Sequence, residues 1–323
     1  MKFGGHETFH VRDGWLNKGL ELASEEGEKG IFADNAADLA GVGANMIKSI
    51  RHWLSATGLT SKKIDSDSQN NLNLSNSKDS IKTLEFQKTI LEYDPDLQSP
   101  STWWALHINI VSNSESAFAH DWFFNDFGVS RFERSYCIEN LHRFLDYSPN
   151  HRCPARSTLE KDIGVLLASY SQSLPREQMS PEDTKDCPFQ KLGLITFSRE
   201  SGFYNAEYGL KEIPSEILGY NIVSIQSEPQ DSPYISYSIP ELVAARSGPG
   251  RALLLRAEEL YDLAIKAEQE LGEEWVRIRG LAGNRLIEVK NVDKAEWLKL
   301  ALKKEHEEIS LWEKQTQKKL KAV

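Results

Sequence analysis

The chain has 323 residues, 40% of them hydrophobic and 27% charged, enough apolar material for two or three packed domains and too much for a disordered chain. Its 48 acidic residues against 38 basic ones leave a net charge of -10, which excludes a protein coated in positive surface but not one with a local basic contact. No stretch approaches the roughly 20 apolar residues of a bilayer span. Residues 1–7 lack the apolar core of a secretion signal, and three cysteines make no disulfide framework, so the expected setting is a reducing cytoplasm.

Polar stretches at 65–79, 175–188 and 227–233 divide the chain. They predict an N-terminal helix-turn-helix, DNA-binding region over 1–98, a middle helical region with a small hairpin over 99–230, and a C-terminal helix–hairpin–helix region over 231–323. In chain order, helix periods run over 36–54, and short buried helices are expected over 103–111 and 138–145. Ser157 and Glu160 have the spacing of a capping box that opens a helix running to about Tyr170. A strand is expected over 192–197, with a hairpin tip at 199–202. An amphipathic helix over 257–271 carries Leu260, Leu263, Ala264, Ala267 and Leu271 on one stripe. Strands over 275–281 and 286–292 turn at 282–284, and a charged helix follows from Lys294. The fold class is α+β, mostly helical, with winged-helix or helix-turn-helix-like units. The aromatic residues Trp103, Trp104, Trp122, Phe123, Phe124 and Phe127 are expected in the core.

The helix-turn-helix reading rests on spacing. With Ala37 where two helices cross, Gly41 falls four residues on, where the turn needs a positive φ and a Cβ would clash. Val42 is the buried turn residue, and Ile47, Ile50, Trp53 and Leu54 form the stripe beneath the second helix. That helix would then turn Ala44, Asn45, Lys48, Ser49 and His52 outward with Arg51 at its edge, side chains of the types that reach bases and phosphates. Residues 39–64 hold four Lys or Arg and no acid. The competing reading is a three-helix packing unit without DNA contact. In the hairpin over 275–292, Arg277, Arg279, Arg285 and Lys290 either face phosphate or simply line a solvated surface.

The densest chemistry lies at residues 6–15. If extended, His6, Thr8, His10 and Arg12 share one face, so imidazoles with the Glu7 carboxylate suit a metal and Arg12 suits a phosphate. The histidine spacing is not that of a zincin helix. The bland alternative is a first strand whose polar groups bond within the fold. His151, Cys153 and Cys187 lack paired Cys-x-x-Cys spacing, so no zinc site is expected from them. There is no P-loop, no nucleophile elbow and no dinucleotide fingerprint.

Several blocks together resemble a known bacterial group. They are Gly5-His6-Glu7-Thr8-Phe9 with Arg12 and Trp15, then residues 41–53, then 94–97 with 101–107, then 122–125, then Ser157-Thr158-Leu159 with Asp162 and Tyr170. This pattern resembles the SspB-type nickase family of DNA phosphorothioation systems, a domain-of-unknown-function group often encoded beside a phosphoadenylylsulfate-reductase-like gene. The resemblance implies a defence-system protein that binds double-stranded DNA and opens one strand for sulfur incorporation. It also implies partners: a cysteine desulfurase, an ATPase and the reductase-like protein, with a homo-oligomer among the compatible arrangements. It carries no catalytic residue over. On the density of the cluster together with the resemblance, the catalytic candidates are His6, Glu7, His10 and Asp13, assisted by a divalent metal, Mg or Mn. The DNA-binding candidates are Arg12, Asn45, Lys48, Ser49, Arg51 and His52. The alternative is a non-catalytic DNA-binding adaptor or a transcriptional regulator of the same operon. The insert at 65–79 departs from the pattern where a wing is expected.

Overall fold

The computed structural model describes residues 2–25, 28–60, 78–147, 153–174, 187–209, 211–226, 231–281 and 284–321. The N-terminal helices are α1 (Trp15–Glu25), α2 (Glu28–Phe32), α3 (Ala36–Ala40) and α4 (Ala44–Ala56). The helix periods over 36–54 are two helices, because Gly41 takes φ 63° and ψ 39°. In that left-handed conformation Val42 N–H donates back to Ala37 O at 2.9 Å, which closes α3 and redirects the chain. Helix α1 packs on both α3 and α4, burying Trp15, Leu16 and Leu20 with Ile47, Ile50 and Leu54. The insert over 65–79, where a wing is expected, lies outside the described residues except for Lys78 and Asp79, which are helical.

Helix α5 (Lys78–Tyr93) leads to α6 (Pro100–Val111), whose start is fixed by Ser99 accepting the Thr102 N–H and by a proline in the first turn. Every residue from Ser101 to Val111 is buried, so α6 is the central rod of the molecule. Helix α7 (Phe118–Trp122) continues into a π-helical turn over Phe123–Phe127, and the aromatic residues of this stretch are core, as expected. Strand β1 (Arg131–Phe132), α8 (Arg134–Asp146) and α9 (Arg156–Tyr170) follow.

The start of α9 corrects one expectation. The helix begins at Arg156, not after Ser157, and no side chain caps it. Ser157 is therefore already inside the first turn, and Glu160 pairs instead with Arg156 at 3.3 Å.

Strands β2 (Ser171–Leu174), β3 (Ile195–Ser198) and β4 (Tyr204–Ala206) complete a four-stranded sheet of order β1-β4-β3-β2. Only β2 and β3 run parallel. The strand expected over 192–197 starts later, because Pro188–Leu192 forms a 3-10 turn that ends at Gly193. The tip over 199–202 is present: Ser198 N–H donates to Phe203 O at 2.9 Å.

The C-terminal part contains α10 (Ser215–Ser224), β5 (Tyr234–Ser238), α11 (Ile239–Ala244), α12 (Pro249–Ala252), α13 (Ala257–Leu271), β6 (Val276–Leu281), β7 (Asn284–Lys290) and α14 (Lys294–Lys321). Strands β5, β7 and β6 form an antiparallel sheet in that order. Helix α13 buries Leu260, Leu263, Ala264 and Ala267, most of the stripe read from sequence. Helix α14 packs on α10, α5 and α6, so the C-terminal segment closes against the central rod. The buried apolar cluster is continuous through the three regions read from sequence. The whole is mostly helical α+β, and no helix among the described residues is long and apolar enough to cross a membrane.

Candidate functional site

The N-terminal segment is not extended. Glu7 and Thr8 both take left-handed backbone angles, φ 48° and 69°, which breaks the strand alternation and sends neighbouring side chains to different places. For a non-glycine residue, and above all for a β-branched one, such angles are strained. The loop is held regardless, by a dense set of bonds. Phe9 N–H donates to His6 O at 2.8 Å and Thr8 N–H donates to His6 Nδ1 at 3.1 Å. Trp53 Nε1, from α4, donates to Phe9 O at 3.1 Å.

His6 points inward, where its Nε2 lies 3.0 Å from Asp162 Oδ1 on α9. Because Nδ1 accepts from Thr8, the proton is on Nε2 and is directed at the carboxylate. Gly4 N–H donates to both oxygens of Asp162, at 3.0 and 3.2 Å. One buried aspartate thus anchors the whole loop to a helix from the middle of the chain.

Around this anchor the structure gathers a histidine cluster that the sequence reading did not assemble. His6 stacks on Trp53 and meets His52 edge-on, and His52 and His120 both pack edge-on against Trp53. Burial, with His6 and Lys2 adding like charge, pushes His52 down to about 3. Burial, then His6, His52 and His107, holds His120 well below the ordinary imidazole value. His120 Nε2 is buried without a partner among the described residues. Further in, His107 bonds Tyr170 Oη at 2.8 Å and Ala252 O at 2.7 Å, and burial brings it to about 4. Asp162 and Tyr170 belonged to the blocks of resemblance but not to the candidate site residues. His120 carried no local signal, being one polar residue in an aromatic stretch.

Helix α4, the helix expected to read DNA, shows only part of its expected face. Ala44, Asn45 and Lys48 are exposed, whereas Ser49 and His52 are buried and Arg51 is half-buried. The loop covers His52: a Cβ on Gly5 would lie 2.6 Å from His52 Nδ1, so glycine lets the chain run close over that ring. Arg51 is turned to the other side, where it donates to Ile31 O at 2.7 Å and Ala33 O at 3.2 Å.

The loop and the helix nevertheless share a surface. Glu7 Oε1 lies 3.9 Å from Lys48 Nζ, both solvent-exposed. Arg12 is half-buried between the rings of Phe9 and Trp15, with its Nε unpartnered among the described residues. Asp13 is exposed and His10 half-buried. Of the candidates, then, Asp13, Asn45 and Lys48 reach solvent, Glu7, His10, Arg12 and Arg51 do so in part, and His6, Ser49 and His52 lie beneath.

Magnesium and manganese favour oxygen donors. His6, Glu7, His10 and Asp13 do not converge: His6 is bound to Asp162 and Glu7 faces Lys48. Among the described residues a single group of three ligating side chains comes together, His142, Asp146 and Cys153, and its nitrogen and sulfur donors do not suit magnesium. The loop therefore does not fit a preformed magnesium site.

In the charged hairpin β6–β7 Arg279 is paired with Glu273 at 3.2 Å and Lys290 with Glu274 at 2.6 Å, and Arg277 and Arg285 lie over tyrosine rings, Arg277 on Tyr234 at 3.7 Å.

A family model described as a protein of unknown function, DUF4007, matches residues 3–304. The chain belongs to the DUF4007 family. Two crystal structures share the fold of this DUF4007 protein. A magnesium-ion-bound SspB aligns with TM-score 0.74 at 22% identity, over 95% of this chain and 88% of that one. A second SspB structure aligns with TM-score 0.74 at 21% identity over the same shares. No functionally curated protein matches the sequence.

Proposed function

We propose that this DUF4007 protein acts on double-stranded DNA in a phosphorothioation and defence system, binding the duplex and opening one strand for sulfur incorporation. Three lines support the reading: the blocks that resemble SspB-type nickases, the fold shared with SspB, and the local geometry. The observation that carries it is the strained loop that sets Glu7 against Lys48 of α4. Backbone strain of about 1–3 kcal/mol per residue persists where the surroundings over-determine it, and such places concentrate at functional sites. Here the surroundings are His6, Asp162 and Trp53, none of which reaches solvent.

In this reading Lys48 and Asn45 contact the backbone or the bases of the duplex, and Arg12 holds a phosphate between its two aromatic neighbours. As DNA approaches, Lys48 exchanges Glu7 for phosphate. Glu7 is then free to take the proton of a water that attacks the phosphorus, while the P–O bond to the leaving oxygen breaks. His6 is a positioning residue. The partners in the system are a cysteine desulfurase, an ATPase and a reductase-like protein.

The second reading is a DNA-binding adaptor without catalysis. It is favoured by the engagement of both ring nitrogens of His6 and by the absence of a converged oxygen cluster among the described residues. Duplex binding by fluorescence anisotropy, run beside relaxation of supercoiled plasmid with Mg²⁺ or Mn²⁺, separates the two. The nickase reading expects Lys48→Ala to weaken binding and Glu7→Ala to keep binding but lose open circles. Binding without open circles in the wild-type protein supports the adaptor, and no binding at all removes both.

A further inference from the structure

We propose that His142, Asp146 and Cys153 form a transition-metal site with zinc as its ion, separate from the loop surface above. His142 and Asp146 lie one turn apart at the end of α8, with Nδ1 and Oδ2 2.8 Å apart. Cys153 comes from the segment that leads into α9, and the three donor atoms all lie within 4.8 Å of one another. The sequence argued against zinc because Cys153 was weighed with Cys187, which lies buried in the core. The fold gives Cys153 different partners, a histidine and an aspartate that carry no cysteine-type spacing.

The donor set selects the ion. Imidazole, carboxylate and thiolate together match the borderline character of zinc, which takes all three in tetrahedral sites. A His–Asp pair at i and i+4 on an exposed helix is common by itself, and the thiol from another segment is what makes the group a chelate. Three protein ligands leave the fourth position to water, the arrangement of an open zinc site. The three side chains are partly or fully exposed, so small rotations bring the donors to bonding distance, and binding releases the thiol proton to solvent. The site would tie the end of α8 to the start of α9, the helix that carries Asp162 and so the loop anchor.

The test uses the full reduced chain and cobalt as a spectroscopic stand-in. Titration with Co²⁺ is expected to give a thiolate-to-cobalt charge-transfer band that saturates at one equivalent and is abolished by Zn²⁺. In Cys153→Ser the band disappears, and in His142→Ala affinity falls by about 100-fold or more, beyond the roughly 10–100-fold that loss of an outer partner costs. A wild-type chain without the band at saturating cobalt, or a Cys153→Ser chain that retains it, overturns the proposal. A second readout needs no variant: zinc is expected to protect Cys153 from alkylation, mapped by mass spectrometry. Alkylation of Cys153 at the same rate with and without zinc equally overturns it. Neither measurement involves DNA, so the outcome is independent of the nickase reading.

Discussion

Asp162 is the residue on which the candidate site depends most. It accepts from Gly4 N–H and from His6, and it is 4% exposed. Removing it leaves buried donors unmet, so Asp162→Ala is expected to lower stability by about 3 kcal/mol in urea unfolding. Because it also frees the loop, its loss of DNA binding should exceed that of Glu7→Ala, which removes only an exposed carboxylate and should shift stability by less than about 0.5 kcal/mol. Equal stability of the two variants would sink the anchor. The buried histidines give a pH signature. His52 and His107 lie at about 3 and about 4 in the fold, against about 6.5 in an unfolded chain. The unfolded chain therefore binds more protons below pH 6.5, and stability is present above that value and is lost as pH falls toward 4. The slope is about 1.4 kcal/mol per pH unit for each such histidine. Urea unfolding at pH 7, 6 and 5 checks this, and a flat series contradicts it. Little of this was legible beforehand. His6 and Asp162 are 156 residues apart, and no local pattern links a histidine in a loop to an aspartate inside a helix.

At the scale of elements, the turn between α3 and α4 was readable because it depends on one backbone geometry that glycine supplies. Gly41 has the expected positive φ, 63°, but not the expected clash: open space lies where a Cβ would stand, so Gly41→Ala meets backbone strain alone. It is expected to cost about 1–2 kcal/mol without altering the fold, which thermal unfolding with circular dichroism checks. A loss of helix content at low temperature would instead mean that the turn sits against something. Amphipathic α13 was legible for the same kind of reason, since its apolar stripe repeats over four turns. The N-terminal loop was not. Alternation assumes extended backbone, and Glu7 and Thr8 adopt left-handed angles that their residue types disfavour. That one departure places His6 inward and edge-on against His52 of the helix expected to read DNA.

For the whole molecule, the net charge of -10 sets how a DNA contact can behave. The acid-free window over 39–64 supplies the positive charge, but the fold turns Arg51 toward backbone carbonyls and leaves Lys48 as its exposed cation within α4. A contact so confined predicts a shallow salt dependence, and Lys48→Ala should reduce the slope of log K against log salt by about 1. A steep slope unchanged by Lys48→Ala would place the contact elsewhere.

If the loop and α4 form one DNA-acting surface, strand breakage reads it out. Supercoiled plasmid is incubated with wild type, Glu7→Ala and Lys48→Ala in Mg²⁺ or Mn²⁺, and open circles are quantified beside duplex affinity. Wild type is expected to form open circles, Glu7→Ala none at unchanged affinity, and Lys48→Ala fewer at weakened affinity. Open circles formed by Glu7→Ala at the wild-type rate, or wild-type affinity in Lys48→Ala, contradict that shared surface.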